Sequence, residues 1–512
     1  MAAVLVVPGM NAQGPTPQAS SITVTSRLVV LDVVVVDKRG KPVTNLDKSK
    51  FVVYEDKVLQ TIKDFDPPSG HMMPTGTAAK MVVNSVADLP KIGPAPVNVL
   101  VFDELNTPFH DLGYARQQME KYLMAQPEVL PVPTLFVAAG NTKMAVLHDY
   151  TQSRADLLES VKKHTADFDF TSMIAQLNGG KIGKDDGMVE TLGALSQIAE
   201  SLRGVPGHKN VIWIGKGYNN AGDLNGLSQA DHDRAMDVIK QVTDRMLAAR
   251  VTLYNIDPEG PVRVSGATLE SIDPAGTAEG MAPGSPTLTG ANYGDNLGFD
   301  GFVSATGGRT ISGRNDLDAQ LAQVSLEGTE YYTLSYVPTS TSDAAREYRN
   351  IRVIVNDPNL IATSRHGYFS GDAPVSAVSF APKAKQPADL RYDLMSAART
   401  SLPYTGLHME LQKAKSGFNI LVDASDLKFV DQPDGTRIAE VTVVAVCFDR
   451  NKKISAQHTA ELKEELGATD KITPRAKVGF AFPMIVPAFT DHVRFVMRDA
   501  ATGTMGSAEG KP

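Results

Sequence analysis

Two short stretches carry side chains suited to holding a ligand. Asp103-Glu104-Leu105-Asn106-Thr107 follows one apolar run directly, and Gly215-Lys216-Gly217 follows another. In open α/β sheets, ligands bind outside the carboxyl ends of the strands, where the strand order reverses. A carboxylate, an amide, a hydroxyl and an ammonium at two such ends make a polar binding face, not a catalytic constellation. The chain has no His-Glu-x-x-His, Gly-x-Ser-x-Gly or Cys-x-x-Cys, the patterns that seat zinc, expose a nucleophilic serine or poise a redox pair. Gly183-Lys184 resembles the end of a phosphate loop, but Asp185 stands where Ser or Thr would bind magnesium and Asn178 where the first Gly belongs. Asp434-Gly435, preceded by Pro433, reads as a hairpin turn and not as a calcium loop. His110, His208 and His232 fall near predicted strand ends and are read as surface or loop residues.

The elements that must position these residues are legible from periodicity. Val97–Phe102 is a compact apolar run of the kind found in buried parallel strands. Leu112, Ala115, Met119, Tyr122 and Leu123 then recur at helical spacing, which predicts a helix over 111–126. Strands are expected at Thr134–Ala139, Lys143–Leu147, Asn210–Ile214 and Val251–Ile256, with helices at 153–164, 189–203, 228–249 and near Asp316–Leu326. Strands alternating with helices predict a doubly wound, mostly parallel sheet over 97–328, with 258–296 as a Gly/Pro/Ser-rich loop insertion.

The flanking segments are β-rich. Residues 22–66 and 329–370 each hold too few strands to bury a core alone, so together they are expected to form one β-sandwich into which the α/β segment is inserted. Residues 67–96 and 371–388 read as linkers, and 389–512 as a separate antiparallel β-domain of sandwich type.

Bulk properties narrow the function. The chain has 512 residues, enough for about three domains. A formal net charge of −8 argues against a nucleic-acid partner, because phosphate binding needs a basic face. No run reaches the roughly 20 apolar residues of a transmembrane helix. Cys447 is the single cysteine, so no intrachain disulfide forms. Residues 1–21, with the apolar run Ala2–Val7 and small residues after Pro8-Gly9, read as a signal-peptide remnant or a disordered terminus.

Several pieces in order carry a family resemblance. They are Leu31-Asp32-Val33-Val34-Val35-Val36-Asp37, Phe51-Val52-Val53-Tyr54-Glu55-Asp56, Asp103 with Asn106-Thr107-Pro108-Phe109, and Pro206-Gly207-His208-Lys209-Asn210-Val211-Ile212-Trp213. Further on come Ala305-Thr306-Gly307-Gly308-Arg309, Tyr331-Tyr332-Thr333-Leu334-Ser335-Tyr336 and Arg365-His366-Gly367-Tyr368. The α/β segment resembles a von Willebrand factor type A domain, and residues 22–370 resemble the VWFA-related proteins of acidobacteria. Such domains usually hold a divalent cation with an Asp-x-Ser-x-Ser stretch, a later Thr and a second Asp. On that pattern Asp103 matches the first Asp, Leu105 replaces the first Ser, Thr107 stands for the second, Thr191 matches the loop Thr and Lys216 falls in place of the second Asp. Magnesium needs about six oxygen ligands; Leu105 offers none, and an ammonium repels the ion. The resemblance therefore implies a degenerate metal site without cofactor or metal, in which Lys216 pairs with Asp103. The expected function is that of an exported, non-enzymatic module binding a protein partner through Asp103, Asn106, Thr107, Thr191 and Lys216. An envelope structural component and a metal-dependent hydrolase are the alternatives.

Overall fold

The computed structural model describes residues 28–74, 82–140, 144–165, 184–218, 229–260, 298–339, 348–370, 394–467, 473 and 476–512. The apolar run near the N-terminus, the core of the 258–296 insertion and the 371–388 linker lie outside the described residues.

Among the described residues the first strands are β1 (Val29–Asp37), β2 (Phe51–Glu55), β3 (Val58–Gln60) and β4 (Ile62–Asp66). The central segment supplies β5 (Val97–Asp103), α1 (Phe109–Ala125), β6 (Val129–Ala139), β7 (Met144–Ser153), α2 (Arg154–Lys163), α3 (Lys184–Ser201) and β8 (Lys209–Ile214). It continues through α4 (Gln229–Ala248), β9 (Val251–Ile256), α5 (Phe299–Ala305), β10 (Thr310–Ile311) and α6 (Leu317–Glu327). Next come β11 (Tyr331–Tyr336), β12 (Tyr348–Val355), β13 (Leu360–Thr363) and β14 (Gly367–Phe369). The last part holds β15 (Met409–Ala414), β16 (Gly417–Asp423), β17 (Val430–Asp431), β18 (Arg437–Phe448), β19 (Ile454–Leu466), β20 (Lys477–Pro483), β21 (His492–Asp499) and β22 (Met505–Gly510).

The structure is mixed α/β, with one six-stranded, mostly parallel sheet and several antiparallel sheets. The six strands run in the order β10-β9-β8-β5-β6-β7, and the edge strand β7 alone is antiparallel to its neighbour. Every residue of β5 is buried, because the strand is flanked by strands on both edges and by helices on both faces. Val97, Val99 and Val101 pack with Leu192, Leu195, Val242 and Met246 of α3 and α4. Leu100 and Phe102 point the other way, against Met119 of α1, Leu157 of α2 and Leu321 of α6.

In β1, Val29, Leu31, Val33 and Val35 are buried and alternate with partly exposed residues, the period-2 pattern of a half-buried strand. β1 pairs with β11 and β13, while β2 pairs with β12, so strands from before and after the α/β segment share sheets. The two resulting four-stranded sheets contribute Leu31, Val33, Phe51, Val53, Tyr332, Leu334 and Ile351 to a common core.

One expectation changes, and another gains a contact. Residues 67–96 do not act as a free linker where they are described: Val83, Leu89, Ile92 and Ala95 are buried against the α/β core. The C-terminal β-region has its own core, with Ile420, Val443, Phe480 and Phe495, and it also packs on the α/β segment. Leu394, Ala397, Leu402, Tyr404, Val444, Val496 and Met505 join the apolar cluster of the parallel sheet. Thr405 ties the contact, its N–H and Oγ1 donating to the Ser201 carbonyl at 3.2 and 2.7 Å.

Candidate functional site

β5 and β8 are hydrogen-bonded neighbours, with Phe102 in register with Ile214, so Asp103 and the Gly215-Lys216-Gly217 turn meet at the strand tips. Asp103 is fully buried. Its Oδ1 accepts the backbone N–H of Leu105 at 3.1 Å, the backbone N–H of Asn106 at 3.0 Å and the Asn106 Nδ2 at 3.2 Å. Its Oδ2 accepts the Gly217 N–H at 2.9 Å. The same Asn106 amide donates to Thr191 Oγ1 at 2.9 Å, and Thr191 donates to the Gly187 carbonyl at 2.7 Å, which ties β5 to α3. Thr107 Oγ1 accepts the Lys216 N–H at 3.0 Å. Asp103, Asn106, Thr107, Thr191 and the backbone of Lys216 thus form one network.

Glycine is required on both sides of Lys216. A Cβ on Gly215 would stand 2.3 Å from the Asp103 Cβ and 2.4 Å from Thr107 Oγ1. Gly217 adopts φ +63°, and a Cβ there would meet the Phe299 ring at 2.4 Å. The backbone can therefore press against Asp103 and fill the space beside its carboxylate with N–H groups.

That packing corrects the expected ion pair. The Lys216 ammonium does not pair with Asp103; it contacts Glu259 Oε2 at 2.6 Å and lies 3.9 Å from Asp111 Oδ2. Gly217 already supplies the donor at Asp103, and the Lys216 side chain extends instead toward the first turn of α1 and the segment after β9. Asp257 stands nearby: burial pushes its carboxyl up, the Glu259 backbone N–H and Lys216 oppose this, and the Glu259 and Asp111 carboxylates add to it more weakly. Burial likewise pushes the Asp103 carboxyl up, against the lowering pull of the Asn106 and Gly217 N–H groups.

Other side chains at this end were not among the five expected binding residues. Glu104, buried beside Asp103, contacts the His164 Nε2, and the His164 carbonyl accepts from Arg116. Asp111, in the first turn of the helix after β5, carried a readable signal, since acidic side chains favour that position. Glu259 carried none. Phe109, at the start of α1, is 66% exposed on the same face, and the exposed His110 sits 3.1 Å from Asp111.

His208 lies elsewhere. It precedes β8 at the opposite end of the sheet, where Nδ1 contacts Asp32 Oδ2 at 2.8 Å and Nε2 contacts Asn210 Oδ1 at 3.0 Å. Arg250 also binds Asp32 through two nitrogens, and Thr333 donates to Asp32 Oδ1 at 3.0 Å. This buried cluster joins β1 and β11 to the base of the parallel sheet; it is not part of the tip face. The His232 side chain lies outside the described residues.

The sequence matches no family model and no curated protein. Among solved structures it is similar to the human COPII-coat protein Sec24c, with 10% identity over 55% of this chain and 44% of that one and a TM-score of 0.24. The chain spans less than half the length of that protein, and a likeness this weak carries no argument.

Proposed function

We propose that the strand-tip face of the α/β segment binds a protein partner without a metal ion, and that the chain is an exported interaction module and not an enzyme. On this reading the segment is a von Willebrand factor type A-like domain inserted in a β-sandwich, with a degenerate cation site. One observation carries it. Both Asp103 oxygens and Thr107 Oγ1 accept hydrogen bonds from N–H groups of the chain itself. The oxygens that would ligate a cation are thus engaged, while Leu105 has no oxygen on its side chain to add. Around this closed centre lie features suited to a protein surface: exposed Phe109, and Lys216 among Asp111, Asp257 and Glu259. Aromatic anchors rimmed by charges are the usual composition of a contact hot spot.

The test is capture of partners from cell-envelope extract by the immobilised chain, beside variants Phe109→Ser and Lys216→Glu. A partner held by the wild type and lost from both variants supports the reading. Equal capture by all three places the working surface elsewhere.

A further inference from the structure

The C-terminal β-region ends, on one side, in an apolar loop ringed by basic turns. From Val478 to Thr490 there is no charged residue. Within the loop joining β20 to β21, Met484 is buried and Val486 packs partly against the β-core. Ile485 and Phe489 point out and are 83% and 76% exposed, more than any other large apolar side chain among the described residues. The loop is held and not merely loose. The Met484 N–H donates to the Ser416 carbonyl at 3.2 Å, Thr490 to the Pro487 carbonyl at 3.0 Å, and Asp491 to the Phe448 carbonyl at 2.7 Å. His492 stacks on Phe448 with ring centroids 5.0 Å apart.

Strand register gathers the basic residues around it. Gly417 pairs with Pro483, so the β15–β16 turn, with Lys413 and Lys415, borders one end of the loop. Phe448 pairs with both His492 and Ile454, so the β18–β19 turn, with Arg450, Lys452 and Lys453, borders the other. Val493 pairs with Gly510, which brings Lys511 to the same end. All six are exposed. Three acidic residues sit at this end, of which Glu509, two before Lys511, pairs with the buried Arg494 at 3.0 Å. Asp449 is turned inward, accepting the N–H groups of Asn451 and Lys453 at 2.8 and 2.9 Å, and Asp491 lies 3.2 Å from His492. In a chain of net charge −8, this end is locally basic.

We infer that this end docks on an anionic lipid bilayer, with Ile485 and Phe489 entering the interface and the six basic side chains meeting the headgroups. Two protruding apolar side chains suit a bilayer, which yields to them; a protein partner would need a matching pocket. Apolar tips bind interfaces by buried area, and Lys/Arg clusters add attraction that salt screens.

The experiment is co-sedimentation of the full chain with phosphatidylcholine vesicles and with phosphatidylcholine–phosphatidylglycerol vesicles. Variants are Ile485→Ser/Phe489→Ser and Lys452→Glu/Lys453→Glu, all at exposed positions and checked by thermal melting. The expected result is binding to the anionic vesicles only, weakened about tenfold or more by either double variant and by added salt. Absence of vesicle binding overturns the proposal, and so does binding indifferent to Ile485 and Phe489. Retention on an acidic polypeptide resin without vesicle binding assigns the patch to an acidic protein and also overturns it.

Discussion

Gly217 and Asp103, which lie beyond the last paired residues of two neighbouring parallel strands, are joined by a 2.9 Å hydrogen bond from the Gly217 N–H to the Asp103 Oδ2. With three further N–H contacts on Oδ1, the bond closes the strand-tip carboxylate from within the chain. Lys216, between the two glycines, donates its backbone N–H to Thr107 and sends its ammonium outward to Glu259 and Asp111.

Removing the carboxylate strands those donors. Asp103→Ala leaves the Leu105, Asn106 and Gly217 N–H groups without their acceptor in a buried site. Such losses cost about 1–3 kcal/mol for each uncompensated group, and partial relaxation should bring the total to roughly 2–4 kcal/mol. Urea unfolding should show this as a lower midpoint at unchanged slope; a loss under about 0.5 kcal/mol would mean that the network holds little.

At the opposite end of the sheet, Asp32 anchors β1 to Arg250 and His208. Burial works to raise this carboxyl, but Arg250 and His208 overcome it and hold it far below the usual carboxylate range. The sign follows from proton uptake. A depressed folded value means that the unfolded chain binds the proton first as acid is added, so the contribution is full above the ordinary carboxylate value and is lost as pH falls through the folded one. Asp32→Ala should cost about 3–5 kcal/mol at neutral pH, because Arg250 loses its counter-charge and His208 its hydrogen-bond partner. The variant's acid limb should also be flatter than the wild type's, which a melting series from neutral pH downward will reveal.

Lys209 is buried at the start of β8, and burial, reinforced by Arg250, pushes its amine down to about 7. Here the unfolded lysine, titrating near ~10.4, binds more protons across the interval, so stability rises with pH between about 7 and 10. Lys209→Met should remove that slope and stabilise the fold at pH 7 by roughly 1–3 kcal/mol. Calorimetric melting at several pH values checks both. A variant less stable than wild type would show that the amine has a partner worth more than its burial penalty.

The sequence carried the parallel sheet well, and the site only in part. Val97–Phe102 and the Leu112–Leu123 spacing identified β5 and α1 because one is buried on both faces and the other on a single stripe. β5 and β8 are neighbours in the parallel sheet, which puts Asp103 beside Gly217. The direction of Lys216 did not follow. A long side chain between two glycines can leave either side of the strand, and only the close approach of Gly215 to Thr107 and Asp103 decides which. Asp32 and His208 lie 176 residues apart, so no local pattern announces their contact. The docking of the C-terminal β-region was hidden for a similar reason: Leu394, Ala397 and Leu402 come from short segments with no strong period, and their partners in α3 lie far back in the chain.

The central claim is that the strand-tip carboxylate is satisfied by the chain's own N–H groups and that the face works without a cation. Isothermal titration calorimetry of the full chain against Mg²⁺, Mn²⁺ and Ca²⁺ tests it most directly, with Asp103→Ala as the reference. The account predicts no stoichiometric binding that Asp103→Ala abolishes. One-to-one binding of any of these ions, lost on that substitution, would contradict it.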